Sequence, residues 1–431
     1  MADHRIIVAA ALDGAGWHPA AWREPSSQPD RLYSPDYWLD RVREAEEGGL
    51  DFVTFEDNFA LQSSDRRGPD TATDEVRGRL DARLIASRVA PVTDHIGLIP
   101  VVNTTLTEPF HVSKAIATLD FTSSGRAGVQ ARVASRAEEY SHIGRHDAPT
   151  VDSSSSGPAE LSVTEVGAKF EQAAEEVDAI RRLWDSWEDD AEIRDVATDR
   201  FIDADKLHTI DFEASTFSIR GPSITPRSPQ GQPVVAALAH AGTPYRFAAR
   251  ATDLVFVTPT ADNAAEILSA VRTAEAEVRR EGDELKVIAD LVVLLDASDS
   301  NGTEVGGADP NSTGPDESAA VRLERLDSLG RPLAEATEAR IVVGSASEVA
   351  DVVEELAAAG YDGVRLRPGV LTDDLPLIAN QLAPELRDRG LTRSTYPQDA
   401  SLRELVGLPA APPSRYAGET GQNSPAPASA L

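Results

Sequence analysis

The 431-residue chain carries 41 Lys and Arg against 72 Asp and Glu, a formal charge of −31, and contains no cysteine. That acidic balance argues against nucleic acid or an anionic membrane as partner, and the missing thiols exclude disulfides, thiolate metal sites, iron–sulfur clusters and cysteine nucleophiles. With 41% hydrophobic residues a sizeable core is available. No apolar run approaches the roughly 18 residues of a membrane span, and the opening MADHRIIVAA has no signal-like segment, so a cytoplasmic protein is expected.

Along the chain, short apolar runs alternate with helical patterns, as βα units of a parallel sheet do. Strands are predicted at 5–12, 52–57, 96–104, 127–135, 234–240, 254–258, 286–295 and 363–367. Helices are predicted at 35–47, 80–89, 112–119, 165–187, 245–251, 263–280, 347–359 and 375–389. In the 165–187 helix Val166, Phe170, Ala173, Val177, Ile180 and Trp184 repeat at spacings of three and four, and Ser162 with Glu165 forms a capping box before it. Eight such units predict an α/β fold, a (β/α)8 TIM barrel. The expected organisation is one barrel domain over 1–408, with insertions near 147–161, 188–232 and 296–317, and a flexible tail over 409–431. Thr216 to Ile219 reads as a small strand or hairpin within the second insertion.

Chemistry in such a barrel sits where the strands end, so the polar residues closing each run are the informative ones: Asp57, Asn103 with Thr104 and Thr105, Ser135, His240 and Thr258. His18 follows the first strand within Trp17-His18-Pro19-Ala20-Ala21-Trp22-Arg23, which reads either as an aromatic-binding rim or as an entry loop packed by its indoles. Gly14-Ala15-Gly16 imitates half of a dinucleotide fingerprint, but Pro19 occupies the third glycine position. His142 and His146 lack a completing carboxylate and a firm helix, so no metal is expected.

Several ordered blocks resemble the bacterial luciferase-like flavin monooxygenases, in the branch of nitrilotriacetate, dibenzothiophene-sulfone and long-chain alkane monooxygenases. His18-Pro19-Ala20-Ala21-Trp22-Arg23 is similar to that branch's HPGAWR, and the segment from Leu119 to Gly128 to its LDHLSGGRAG. Residues 52–57, 96–111, 183–188, 221–233, 389–390 and 402–408 also fit, so the resemblance covers nearly the whole chain.

The resemblance implies a two-component flavin-dependent monooxygenase. FMN reduced by a separate NAD(P)H flavin reductase would react with O2 to a C4a-peroxide that oxygenates a small to medium organic substrate; F420 is the less favoured cofactor. By carry-over Asp57, Asn103, Thr104 and Ser135 belong to the flavin cavity and His18 to the substrate side, as a hydrogen-bond donor or proton-transfer group. A homodimer is the family's expectation.

The chain departs from the family at its cofactor positions. Where the family reads WNVVTS it has Val129 to Ser135, keeping the final serine; Val101 replaces a threonine; the HxxxY pair falls on Val166 and Phe170; and QAGSS falls on Ala237 to Ala241. Arg132 and His240, or the amides near Ala241 to Thr243, are the alternative phosphate donors. A second reading is therefore a flavinless relative, serving as a partner subunit or ligand-binding protein.

Overall fold

The computed structural model describes residues 5–62, 72–144, 163–278, 282–297 and 317–418. Eight parallel strands close a barrel: β1 (Ile7–Leu12), β2 (Phe52–Phe55), β3 (Gly97–Asn103), β4 (Gly128–Arg132), β5 (Val234–Leu238), β6 (Leu254–Val257), β7 (Lys286–Leu295) and β8 (Gly363–Pro368). Each pairs with the next, and β8 returns to β1 in the register Ile7↔Gly363. All eight predicted strands are present, and the fold is the expected TIM barrel.

Alternation along the strands builds two separate cores, because successive side chains point to opposite faces. Ile7, Ala9, Phe52, Ile99, Val234, Ala236, Leu254, Phe256 and Ile288 fill the lumen, together with Leu402, Val406 and Leu408 from the C-terminal segment. The intervening residues, among them Val8, Val53, Leu98, Val129, Val235, Val255 and Val364, pack against the surrounding helices.

The short helix Leu402–Leu405, capped by Ser401 and Glu404, closes the lower end of the barrel. Gly97 and Gly128 leave room for it: a Cβ at these positions would stand 2.4 and 3.1 Å from the Leu402 methyls. Asp120 and Gln230 tie the same end together, the Gln230 amide nitrogen donating to Asp120 Oδ1 at 2.6 Å and its oxygen accepting from Arg403 N at 3.0 Å. Several sequence blocks that carried the family resemblance thus belong to this floor and act by packing.

Periodicity missed several elements, two of them beside β7. The strand Arg340–Gly344 pairs with the upper half of β7, from Leu291↔Arg340 to Leu295↔Gly344, while the lower half of β7 pairs with β6. The helix Ala319–Asp327, started by Ser318, buries Ala319, Arg322 and Leu326. The last predicted helix runs from Leu371 to Asp388 through a widened π turn, Ile378–Leu382. Within the 188–232 insertion two hairpins form, Glu192–Asp195 with Arg200–Ile202 and Phe212–Glu213 with Ser218–Ile219.

The capping box at Ser162 and Glu165, the insertion at 147–161, residues 298–316 and the tail beyond 418 lie outside the described residues. Residues 409–418 lie against the barrel: Ser414 Oγ donates to the Asp185 carbonyl at 2.6 Å, and Arg415 Nε to Asp185 Oδ2 at 2.9 Å. No helix among the described residues is long and apolar enough to cross a membrane.

Candidate active site

The loop after β1 is fastened over the end of β8. Trp17 N donates to Pro368 O and His18 N to Gly369 O, both at 3.0 Å, and Leu371 N returns to Ala15 O at 2.8 Å. Gly16 makes this approach feasible, with φ +134° and a would-be Cβ only 2.4 Å from Gly369 O.

Trp17 lies over the Arg367 guanidinium, 4.4 Å from ring centroid to Cζ. His18 turns away from the lumen and its side chain is buried. Its Nδ1 accepts from Ala20 N at 3.0 Å, which leaves the proton on Nε2 to donate to Asp327 Oδ1 at 2.9 Å. Burial lowers its pKa, against the opposing pull of Asp327. Glu24 in the same loop grips Arg325 through two bonds, of 2.6 and 3.2 Å.

Trp22 and Arg23 point elsewhere, to the Asp74 carbonyl at 2.8 and 3.4 Å. The four side chains expected at one rim therefore divide. Trp17 reaches the lumen residue Arg367, His18 together with Glu24 anchors the loop to the helix Ala319–Asp327, and Trp22 and Arg23 bond the Asp74 carbonyl.

The predicted cofactor residues close or follow β2, β3 and β4. Asp57 and Asn103 line one cleft with Phe59, Arg83 and Thr107. Asp57 accepts from Asn58 N at 2.7 Å and from Ala82 N at 3.0 Å, yet burial outweighs these bonds and raises its pKa. Asn103 Nδ2 donates to Glu139 at 3.0 Å, and its carbonyl accepts from Thr105 at 3.2 Å. Thr104 Oγ1 donates to Arg132 O at 3.2 Å.

Glu139, fully buried, also pairs with Arg132 and accepts from the amides of Ser135 and Arg136 at 3.3 and 3.2 Å. It is the hub of this corner and was not singled out from sequence, where Glu138-Glu139 reads as ordinary helix acids. The Ser135 side chain is exposed, and among the described residues its hydroxyl makes no hydrogen bond. His142, at the end of the helix Ala137–His142 that carries Glu139, meets the Phe59 carbonyl at 2.9 Å, and no metal-sized group of acids and histidines occurs among the described residues.

Within the lumen, on the inward register, Arg365 binds Asp290 side-on at 2.7 and 2.6 Å and also donates to Gln130 at 2.8 Å and Thr54 at 3.2 Å. Its Cζ sits 3.8 Å from the centroid of the Phe256 ring. Sequence reading missed this cluster because each member lies inside a strand rather than at its end.

After β5, His240, Ala241 and Gly242 are exposed, and the helix Gly242–Ala251 starts without a side-chain cap. Its first amides are therefore available to an anion. Thr243 and Arg246, joined at 3.1 Å, line an adjoining cavity of about 450 Å³ with Phe170, Phe247 and Arg250. Near Val166, Phe170 and 237–241, where the family's donors are absent, stand these amides and the Thr243 hydroxyl, while the two guanidiniums face acids, Arg250 bonding Glu171 and Arg246 lying 3.8 Å from Glu277. Free helix-start amides and a hydroxyl are the donor types that a phosphate takes.

A parallel (β/α)8 barrel with its polar groups gathered at the C-terminal mouth defines a TIM-barrel enzyme. The luciferase-like monooxygenase model matches residues 16–363, and the chain belongs to that family. It is 27% identical to the N-acetyl-S-(2-succino)cysteine monooxygenase of Bacillus subtilis (strain 168), over 96% of this chain and 98% of that one. It is also 27% identical to nitrilotriacetate monooxygenase component A of Aminobacter aminovorans, over 91% and 94% of the two chains. Among solved structures, DmoA from Hyphomicrobium sulfonivorans superposes with a TM-score of 0.77 at 24% identity, over 98% and 99% of the chains, a likeness of fold.

Proposed function

We propose that the chain is the oxygenase component of a two-component monooxygenase. It takes reduced FMN from a separate NAD(P)H flavin reductase and uses O2 on a small to medium organic substrate. The observation that carries this reading is the pairing, at one barrel mouth, of the Asn103–Glu139–Arg132 corner with the uncapped helix start at Gly242.

Bound reduced FMN supplies the oxygen activation; the chain binds, orients and shields. Asp57, Asn103, Thr104 and Ser135 are the residues assigned to the flavin, with the Gly242 and Thr243 amides for its phosphate. His18, with both ring nitrogens engaged, serves the substrate side by holding Trp17 in place. The β1 loop and the helix Ala319–Asp327 together keep water from that side.

Anaerobic calorimetry with reduced FMN, compared with oxidised FMN and reduced F420, tests the reading. Saturable micromolar binding of reduced FMN is expected, followed by oxygen consumption when a reductase and substrate are supplied. Binding of no flavin would leave the flavinless partner-subunit reading, and preference for reduced F420 would change the cofactor.

A further inference from the structure

Strand β8 directs two guanidiniums, Arg365 and Arg367, at the single carboxylate of Asp290. Arg365 occupies both carboxylate oxygens and spends its remaining nitrogen on Gln130 and Thr54. Arg367 reaches only Oδ2, through Nη2. Its buried Nε has no partner, and among the described residues no hydrogen bond engages Nη1.

The next acid, Glu56, stands 3.8 Å from Arg365 Nη1, and burial pushes its carboxyl toward the neutral form. The two guanidiniums differ accordingly. Although burial opposes it, Asp290 raises the proton affinity of Arg365, whereas burial lowers that of Arg367, against the pull of Asp290 and Glu56 and with the Arg365 charge adding to the burial effect. Arg367 is therefore the guanidinium with unused donors, an unfavourable state in a dry lumen unless an acceptor completes it.

Its position says where that acceptor comes from. Arg367 is the last inward arginine of β8, nearer the mouth than Arg365, and its side chain keeps 8% exposure against 1%. Trp17 covers one face of the guanidinium and packs beside Val292 and Leu294, so an apolar wall adjoins the unused donors. A charged donor set against an aromatic wall suits an organic acid better than a bare inorganic ion.

We propose that Arg367 is the anion-recognising residue of the mouth, and that the substrate is an organic acid whose carboxylate is received beside Trp17. This rests on the oxygenase reading above and names the substrate class for the same mouth.

The test uses the full chain under anaerobic conditions, first measuring reduced-FMN affinity for the wild type, Arg367→Gln and Arg367→Lys. Nitrilotriacetate and N-acetyl-S-(2-succino)cysteine are then titrated against their methyl esters, with and without flavin. The acids are expected to bind at least about tenfold more tightly than the esters. Arg367→Gln should weaken acid binding by a similar factor and leave ester binding unmoved, with Arg367→Lys intermediate.

Acids that bind no better than esters, or acid affinity unmoved by Arg367→Gln, overturn the proposal. If Arg367→Gln fails to fold, an Arg367→Lys variant with unchanged acid affinity does the same. Loss of reduced-FMN binding in the wild type instead overturns the oxygenase reading, and the flavin-free titration still decides the role of Arg367.

Discussion

His18 Nε2 donates to Asp327 Oδ1 at 2.9 Å, joining residues 309 positions apart. The bond ties the loop after β1 to a helix that follows β7, and so sets where Trp17 sits over the lumen. Because burial lowers the folded-state pKa below the ordinary 6.5, the unfolded chain takes up the proton first. The stability due to neutral His18 is therefore fully present above pH 6.5 and declines as pH falls through the folded-state pKa. The melting-temperature advantage of wild type over His18→Gln should shrink as pH is lowered from about 8 to 5. An advantage constant over that range would show that His18 does not titrate with folding. In turnover assays His18→Ala should lower kcat while reduced-FMN affinity holds.

Arg365 and Asp290 form the buried charge pair of the lumen, with side chains 1% and 0% exposed. Removing Arg365 leaves Asp290 in a dry interior with Arg367 alone, which bonds only one of its oxygens. Arg365→Met is expected to cost about 3–5 kcal/mol in urea unfolding. A smaller loss would mean that Arg367 takes over the carboxylate, and acid binding at the mouth should then fall too.

Gly97 and Leu402 meet at the barrel floor. An added Cβ at 97 would lie 2.4 Å from Leu402 Cδ1 and 2.8 Å from Phe52 Cβ. Gly97→Ala should destabilise, and Leu402→Ala should cost about 2–5 kcal/mol through the cavity it leaves. In the double variant part of the Gly97→Ala penalty should vanish, since the methyl clash is gone while Phe52 remains. Additive penalties in a double-mutant cycle would contradict this contact.

Glu139 holds Asn103, Arg132 and two backbone amides at once. Glu139→Gln should cost about 1–3 kcal/mol, because Arg132 loses its counter-charge, and should raise the dissociation constant for reduced FMN by releasing Asn103. Binding that is unmoved in this variant would place the flavin away from the corner.

Much of the architecture was legible because its signals are local. The runs at Ile7–Leu12, Gly97–Asn103 and Lys286–Leu295 are apolar enough to be read directly as buried strands. The helix Pro35–Glu47 begins at its proline, and Ala346–Ala359 has a capping box from Ser345 and Glu348 and ends at Gly360. Less of the site was legible. Asp57 and Asn103 do share a cleft, but whether an exposed hydroxyl such as that of Ser135, or an engaged one such as that of Thr104, faces a ligand depends on neighbours distant in the chain. Trp17 and Trp22, five residues apart, read as one aromatic surface, yet the first covers Arg367 and the second bonds the Asp74 carbonyl.

Periodicity, caps and ordered blocks determined the barrel, its strand count and its family, because alternation and turn chemistry act within a few residues. Only the tertiary structure decided that Asp290, Arg365 and Arg367 form one buried charge cluster, and that His18 faces Asp327 rather than the lumen. Charges interact through space rather than along the chain. Residues separated by 75 or 309 positions thus become partners only once the barrel has closed and removed the water between them.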